Sequence, residues 1–403
     1  VTAPLRHPAF RLLLAARTIN TLGNAVAPLA LAFAVLDLTG SASALGLIVG
    51  ARSLANVAFV LVGGVVADRL PRPLVLVGSN VLSALTQATV AALVLTGTAH
   101  VPALIALSVL NGSLAALSQP ASAALTPQTV PPDVRQQANA LLRLGANGTN
   151  VVGAAAGGAV VAVIGPGWGL AVDALSFLIA GAVFAALTVQ PVAAAQSESI
   201  LGDLREGWSE FWSRTWLWVV VAAFSVINTA FGAMLVLGPV VADHTIGRGG
   251  WGLVLASETA GMVLGSVLAI RSRARRPLLV GMLCMALFAG LPAGLALAPH
   301  LGVLIVLGLL SGVGVEQFGV AWETTMQANV PAEKLARVYS YDMLGSFLAI
   351  PVGEIAAGPI AESAGTTPTL LGAAVLALAA ALIAAAVPGV HNLRRREPEP
   401  AAA

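Results

Sequence analysis

The stretch GGVVADRLPRP, Gly63 to Pro73, sets one acid and two arginines between two long apolar runs. Charged residues are only 9% of the chain, so three of them within five positions mark a boundary. The run before it covers 45–67 and the run after it 73–96. Each is close to the ~20 apolar residues that a helix needs to cross a bilayer.

Carried outward, the same reading finds twelve spans: 11–36, 45–67, 73–96, 101–126, 138–163, 168–189, 216–242, 251–270, 277–298, 301–326, 338–361 and 368–388. Runs such as LLGAAVLALAAALIAAAV are continuous, not alternating, which excludes the β-barrel pattern. The chain of 403 residues is 58% hydrophobic with mean hydropathy +0.90. A soluble protein carries about 25% charged residues, and a fold of this length could not hide so much apolar surface from water. The first run is too long for a signal peptide and reads as a permanent helix.

The connections fall into two sets. LTGSAS, GTAHVP, IGPGWG, TIGRGG, APHLG and SAGTTP join odd to even helices and are short and nearly uncharged. DRLPRP, PPDVRQ, the 190–215 segment, RSRARRP, PAEKLAR and the tail join even to odd helices or close the chain. Of 20 Lys and Arg, sixteen lie at the N-terminus, in the second set or in the tail. Arg248 stands alone in the first set; Arg17, Arg52 and Arg143 lie inside spans. Basic loops stay in the cytoplasm, so both termini are expected inside a bacterial inner membrane.

The longest connection contains ILGDLREGWSEFWSR, whose Ile200, Leu201, Leu204, Trp208, Phe211 and Trp212 recur at helical spacing. It reads as an amphipathic surface helix linking two six-helix halves. The expected organisation is 1–190, a cytoplasmic linker 191–215, 216–390, and a tail 391–403. Weak repeats join the halves: GGVVADRLPRPLVLVG against LGSVLAIRSRARRPLLVG, and QTVPPDVRQQANAL against QANVPAEKLARVYS. Paired halves of this kind build many secondary transporters.

At these residues the chain resembles the major facilitator superfamily: an all-α membrane protein of twelve transmembrane helices in two pseudo-symmetric halves. Gly64, Asp68, Arg69 and Arg72 match the family's turn between helices two and three, with Pro71 and Pro73 as departures. FRLLLAARTINTLGNAVAPLALAF, AVDALSFLIAG and GPVVADHTIGRGGWGLVLA resemble the bacterial exporters of macrolides and siderophores. The resemblance implies that the turn is a conformational latch. Its Asp would face the start of helix eleven, where a helix N-terminus favours a carboxylate. Its arginines would hold neighbouring groups and lipid headgroups, and Gly64 would permit close helix approach. Ser108 and Asn111 stand where proton-coupled drug antiporters carry Arg and Gln on helix four. The second-half turn has no Asp.

Polar residues inside the spans are the candidate sites, because a charge near the bilayer centre costs ~3 kcal/mol or more. Arg17, Asn20 and Asn24 share one face of helix one, and Asn139, Arg143, Asn147 and Asn150 form a stripe on helix five. Asn111, Asn228, Arg52 with Asn56, Glu258, Glu316, Glu323, Asp342 and Glu354 follow. A carboxyl whose proton affinity differs between two states can exchange a proton for a substrate. Glu316 is the first candidate, then Glu258 and Glu354. Arg17 and Arg143 would balance the acids or bind an anion. Asp173 reads as structural. Trp322, Phe318 and Phe231 would either contact an apolar ligand or pack.

Cys284 is the lone cysteine, and the histidines at 7, 100, 244, 300 and 391 have no metal-ligand spacing. No P-loop, nucleophile elbow or HExxH motif occurs. No enzyme, cofactor, nucleic-acid partner or obligate protein partner is therefore expected. The expected activity is proton-coupled efflux of a small amphipathic compound by alternating access, with protons and membrane lipids as partners. An importer of a metabolite, or a non-transporting receptor or lipid-handling protein on the same scaffold, are the alternatives.

Overall fold

A computed structural model describes residues 3–69, 72–123, 125–187, 208–209, 211–271 and 274–394, with the side chains of 61–72, 120, 332–333 and 336–337 outside the described set. Twelve helices in it are long and apolar enough to cross a membrane. They are α1 Pro8–Thr39, α2 Ala42–Arg69, α3 Arg72–Leu95, α4 Val101–Ala123, α5 Arg135–Ile164, α6 Pro166–Ala185, α7 Thr215–His244, α8 Gly247–Arg271, α9 Pro277–Leu297, α10 Leu301–Asn329, α11 in two pieces (Ala332–Phe347 and Ala349–Ala364), and α12 Thr366–Ala386. The twelve spans and the all-helical membrane fold read from the sequence are thus present. Of the proposed linker helix, residues up to 207 lie outside the described set. The described 208–209 and 211–213 are helical, and Trp208 and Phe211 pack on Tyr341 with ring centroids 5.4 and 6.1 Å apart.

Five of the six odd-to-even turns are closed by glycine. Gly40, Gly97, Gly165, Gly247 and Gly365 all have positive φ, between 61° and 94°. Gly40 ends α1 in the left-handed region and donates its N–H to Leu36 O at 2.8 Å, a conformation that costs a residue with Cβ 1–2 kcal/mol or so.

Side chains sort by size in a way that water would not select. In α12 the alanines Ala373, Ala377, Ala381 and Ala384 are buried, whereas Val375, Leu376 and Ile383 are 56–66% exposed. Lipid tails are as apolar as leucine, so large side chains gain nothing by turning inward, and small ones let backbones meet.

The chain forms two compact units. One comprises Val1–Gln196, Leu235–Ala256 and Glu354–Thr366; the other comprises Ser197–Met234, Ser257–Gly353 and Thr367–Ala403. Within the first, α2 crosses α4 at Gly112, where an added Cβ would lie 2.2 Å from Arg52 O. Within the second, α8 crosses α10 at Gly312, where a Cβ would lie 1.9 Å from Glu258 O. Each unit therefore repeats one device: a glycine on the fourth helix of its half, seated on a carbonyl of the second. Also in the second unit, α11 breaks at Leu348, three residues before Pro351, whose ring excludes the carbonyl of residue 347 and which has no N–H to give. Asn228 Nδ2 donates to Ser346 O at 2.8 Å and Thr229 Oγ1 to Ala349 O at 3.4 Å, so α7 satisfies carbonyls at the break.

Gly312→Ala is expected to destabilise the protein by about 1–3 kcal/mol, as overpacking does. Gly78→Ala, which meets nothing within 4 Å, serves as the control. Thermal unfolding in detergent, followed by helical ellipticity, measures both.

Candidate functional site

The first unit gathers buried charges around Arg52. Arg52 sits on α2, Asn111 on α4, Asp173 on α6 and Glu354 on α11. Arg52 Nε donates to Asn111 Oδ1 at 3.0 Å, and Arg52 interacts electrostatically with both Asp173 and Glu354. Asp173 and Glu354 are each 1% exposed. Ser176 Oγ donates to the backbone carbonyl of Asp173 at 2.8 Å. Yet Asp173 Oδ1, Glu354 Oε2 and Asn111 Nδ2 are buried without a hydrogen-bond partner. An unpaired polar atom away from water costs several kcal/mol in hydrocarbon. Asp173, Glu354 and Asn111, which carry these atoms, all interact with the one guanidinium of Arg52.

Glycine again makes the approach possible. A Cβ on Gly23 of α1 would lie 1.9 Å from Ser176 Oγ and 2.5 Å from Asp173 Oδ1. A Cβ on Gly46 of α2 would lie 2.2 Å from Glu354 O. The Asp173 carboxylate thus lies close to the Gly23 backbone, whereas at Gly46 it is the backbone carbonyl of Glu354 that makes the approach.

At the odd-to-even turns of the same unit lies a second charged group. Arg248, at the start of α8, forks onto Asp37 of α1, with Nη1 2.8 Å from Oδ2 and Nη2 bonded to Oδ1. Its Nε donates to Asp243 of α7 at 2.9 Å. The guanidinium carbon stands 5.0 Å from the centre of the Phe33 ring. Nearby, Glu362 of α11 accepts from Ser41 Oγ at 3.0 Å and from Ser43 N at 3.3 Å. Gly158 of α5 and Gly252 of α8 meet backbone to backbone, and Gly358 meets Ser43 in the same way.

The remaining candidates scatter. Arg17 donates from Nε to Ser122 Oγ at 2.9 Å and from Nη2 to Ser122 O, which ties it to the end of α4. Asn20 donates to Asn80 Oδ1 at 3.2 Å, and Asn24 donates back to Asn20. These three, aligned on one helix face, thus serve different neighbours. Arg143 is exposed. In the second unit Ser311 Oγ donates to the buried Glu258 at 3.0 Å and Ser266 Oγ to Glu316 at 2.6 Å. Asn228 supports the α11 break described above. Gly64, Asp68, Arg69 and Arg72 have side chains outside the described set, so the latch stays as the sequence reading left it.

Aromatic rings line α7 and α10 in the second unit. Phe318 and Trp322 are buried and stack at 6.2 Å, Phe224 stacks on Phe318 at 4.9 Å, and Trp216 meets Trp322 at 5.7 Å. Trp322 Nε1 donates to Asp342 Oδ2 at 3.0 Å, which joins a carboxylate to the ladder. Phe231 packs on Phe288 at 6.2 Å.

Sequence reading overlooked Arg52 as a centre and assigned Asp173 a structural part. The signal available was the count of charges: an arginine within α2 has to be answered by acids on other helices. Arg248 carried a clearer signal, as the one basic residue on its side of the alternation.

Comparison with known proteins adds three findings. The model of the family described as transmembrane secretion effector, a branch of the major facilitator superfamily, matches residues 1–399. A multidrug efflux pump, Tap of Mycolicibacterium fortuitum, is 26% identical over 408 residues, covering 98% of each chain. The crystal structure of the nucleoside transporter NupG superimposes with TM-score 0.75 at 14% identity, over 94% of this chain and 98% of that one. A bacterial homologue of the human lysosomal transporter Spinster, inward-facing and unoccupied, superimposes with TM-score 0.72 at 15% identity, over 94% and 95%.

Arg52→Gln is expected to destabilise the fold by about 3–5 kcal/mol, since it leaves buried carboxylates without their cation. Adding Glu354→Gln to that variant is expected to restore part of the loss. A double-mutant cycle on thermal unfolding measures the coupling.

Proposed function

The chain belongs to the transmembrane secretion effector family of the major facilitator superfamily, a family of transporters and not enzymes, and on that premise we propose that it exports a small amphipathic compound from the bacterial cytoplasm in exchange for protons. The observation that carries the reading is the Arg52 cluster. A proton on Glu354 or Asp173 turns an unpartnered acceptor into a donor and removes one buried charge. Its departure restores attraction to Arg52. Glu354, whose Oε2 is buried without a hydrogen-bond partner, is the foremost proton carrier in this reading, ahead of Glu316 and Glu258. Efflux is supported by the multidrug pump Tap, similar over its whole length. The ladder of Phe224, Phe318, Trp322 and Trp216 beside Asp342 suits a flat, partly cationic compound.

Transport by alternating access requires helices to part at one side and then at the other. The Arg248 group is what must open on the side of the odd-to-even turns. The basic loops assign that side to the exterior and both termini to the cytoplasm of a cell-membrane protein. On the other side the turn of Gly64, Asp68, Arg69 and Arg72 is the corresponding latch, as the family resemblance implies.

Proteoliposomes containing a pH-sensitive dye test the proposal with lipophilic cations, macrolides and siderophores. Wild-type protein is expected to release protons when compound is added, and Glu354→Gln to bind compound without proton release. Loss in Glu316→Gln with survival in Glu354→Gln would move the proton site to α10. Compound uptake with protons moving in the same direction would establish an importer. Asp68→Asn is expected to insert normally and fail to transport; full activity would remove the latch. A disulfide between cysteines placed at 37 and 248 is expected to stop turnover, and reduction to restore it.

A further inference from the structure

The second unit contains a small cavity where α8, α9 and α10 end on the side of the even-to-odd connections. Its volume is about 280 Å³, and Gln317, Thr324, Thr325, Asn329, Val280 and Arg394 are among the residues lining it. Drug-sized ligands occupy pockets of about 300–1,000 Å³, so this one suits a headgroup. The chain after α12 closes it from below. Val390 is buried, and Arg276 Nη1 stands 3.3 Å from the His391 ring, which fixes the tail against the start of α9. Arg275 and Arg276 lie in sequence between the lining residues Ala274 and Pro277.

The chemistry of the walls is directional. Gln317 Nε2 donates to Gly265 O at 2.8 Å and Asn329 Nδ2 to Thr325 O at 2.9 Å, which leaves both amide oxygens as acceptors. Thr324 and Thr325 spend their hydroxyl protons on Val320 and Ala321 carbonyls and likewise present oxygen. Arg394 lines this interior, and Arg271, Arg275 and Arg276 lie in sequence between its lining residues Ala269 and Pro277. Among the described residues none of the four has a carboxylate partner within salt-bridge distance. The matching turn of the first half carries Asp68; this one, AIRSRARRP, carries no acid at all.

We propose that this slot binds an anionic phospholipid through a hydroxylated headgroup of the glycerol type. The phosphate diester meets the arginines and the headgroup hydroxyls donate to Gln317, Asn329 and the threonines. Position supports a lipid as the source, because the slot lies where α8 ends at Arg271 and α9 begins at Pro277, at the margin of the apolar spans. Val280 and Leu393 add an apolar wall for the glycerol backbone.

Native mass spectrometry of the full chain, released from nanodiscs of equimolar phosphatidylglycerol and phosphatidylcholine, tests it. Wild-type protein is expected to retain phosphatidylglycerol in preference. Arg276→Gln with Arg394→Gln is expected to lower that retention by about fivefold per arginine, the worth of one basic residue near a charged membrane surface. Gln317→Leu is expected to lower retention of phosphatidylglycerol and spare phosphatidic acid, which has no headgroup hydroxyls. Equal retention of the two lipids by wild type overturns the proposal. So does unchanged selectivity in a double variant of wild-type helicity, or equal retention when phosphatidylethanolamine replaces phosphatidylglycerol. Release of the lipid by millimolar glycerol 3-phosphate would instead identify a site for a soluble phosphate ester. Should the double variant fail to fold, the wild-type lipid comparisons and Gln317→Leu still decide.

Discussion

Inside hydrocarbon, a backbone N–H or C=O has no water to turn to, and each unmet group costs several kcal/mol. The break in α11 is answered by that constraint. Where Pro351 interrupts α11, Asn228 and Thr229 reach from α7 to the carbonyls at the break. Where helices must touch, they do so at glycine, because only a missing Cβ lets one backbone rest on another without unwinding either. The charges follow the same logic. Arg52, Asp173 and Glu354 are tolerable together and expensive apart, so the cluster holds its members in place.

The two units solve one packing problem with opposite signs. On α2 the residue whose carbonyl faces the glycine of α4 is Arg52, and its side chain bonds to Asn111 just before that glycine. On α8 the corresponding residue is Glu258, bonded to Ser311 just before Gly312. The repeat is preserved in backbone and reversed in charge. A duplicated scaffold has thereby acquired two different interiors, one organised around a cation and one around an acid.

Much of this was legible in the sequence. Twelve apolar runs and the split of basic residues gave spans close to those observed, since hydrocarbon thickness and helix rise leave little choice of length. Polar stripes were legible as positions but not as partners. Arg17, Asn20 and Asn24 share a face, yet they bond to α4, α3 and one another, because a helix face of ordinary width meets more than one neighbour. The Arg52 cluster draws on four helices spread over 303 positions, from Arg52 to Glu354, and no local period encodes such an encounter. The lock at Arg248 rests on side-chain geometry of the same long-range kind. Its worth is about 1–3 kcal/mol for a partly exposed forked pair with an aromatic beneath. An interaction of that size shifts a two-state equilibrium by about five- to 150-fold.

The five left-handed glycines have a consequence for how the protein is made. Gly40 and Ser41 are all that separates α1 from α2, and α5–α6, α7–α8 and α11–α12 are joined by one or two residues. So brief a connection cannot hold one helix across the bilayer while the next waits in water. Helices joined so closely are therefore expected to enter the membrane as hairpins. Surface insertions such as epitopes or reporter domains belong in the connection between α6 and α7, which runs from Ala185 to Thr215 and is the longest.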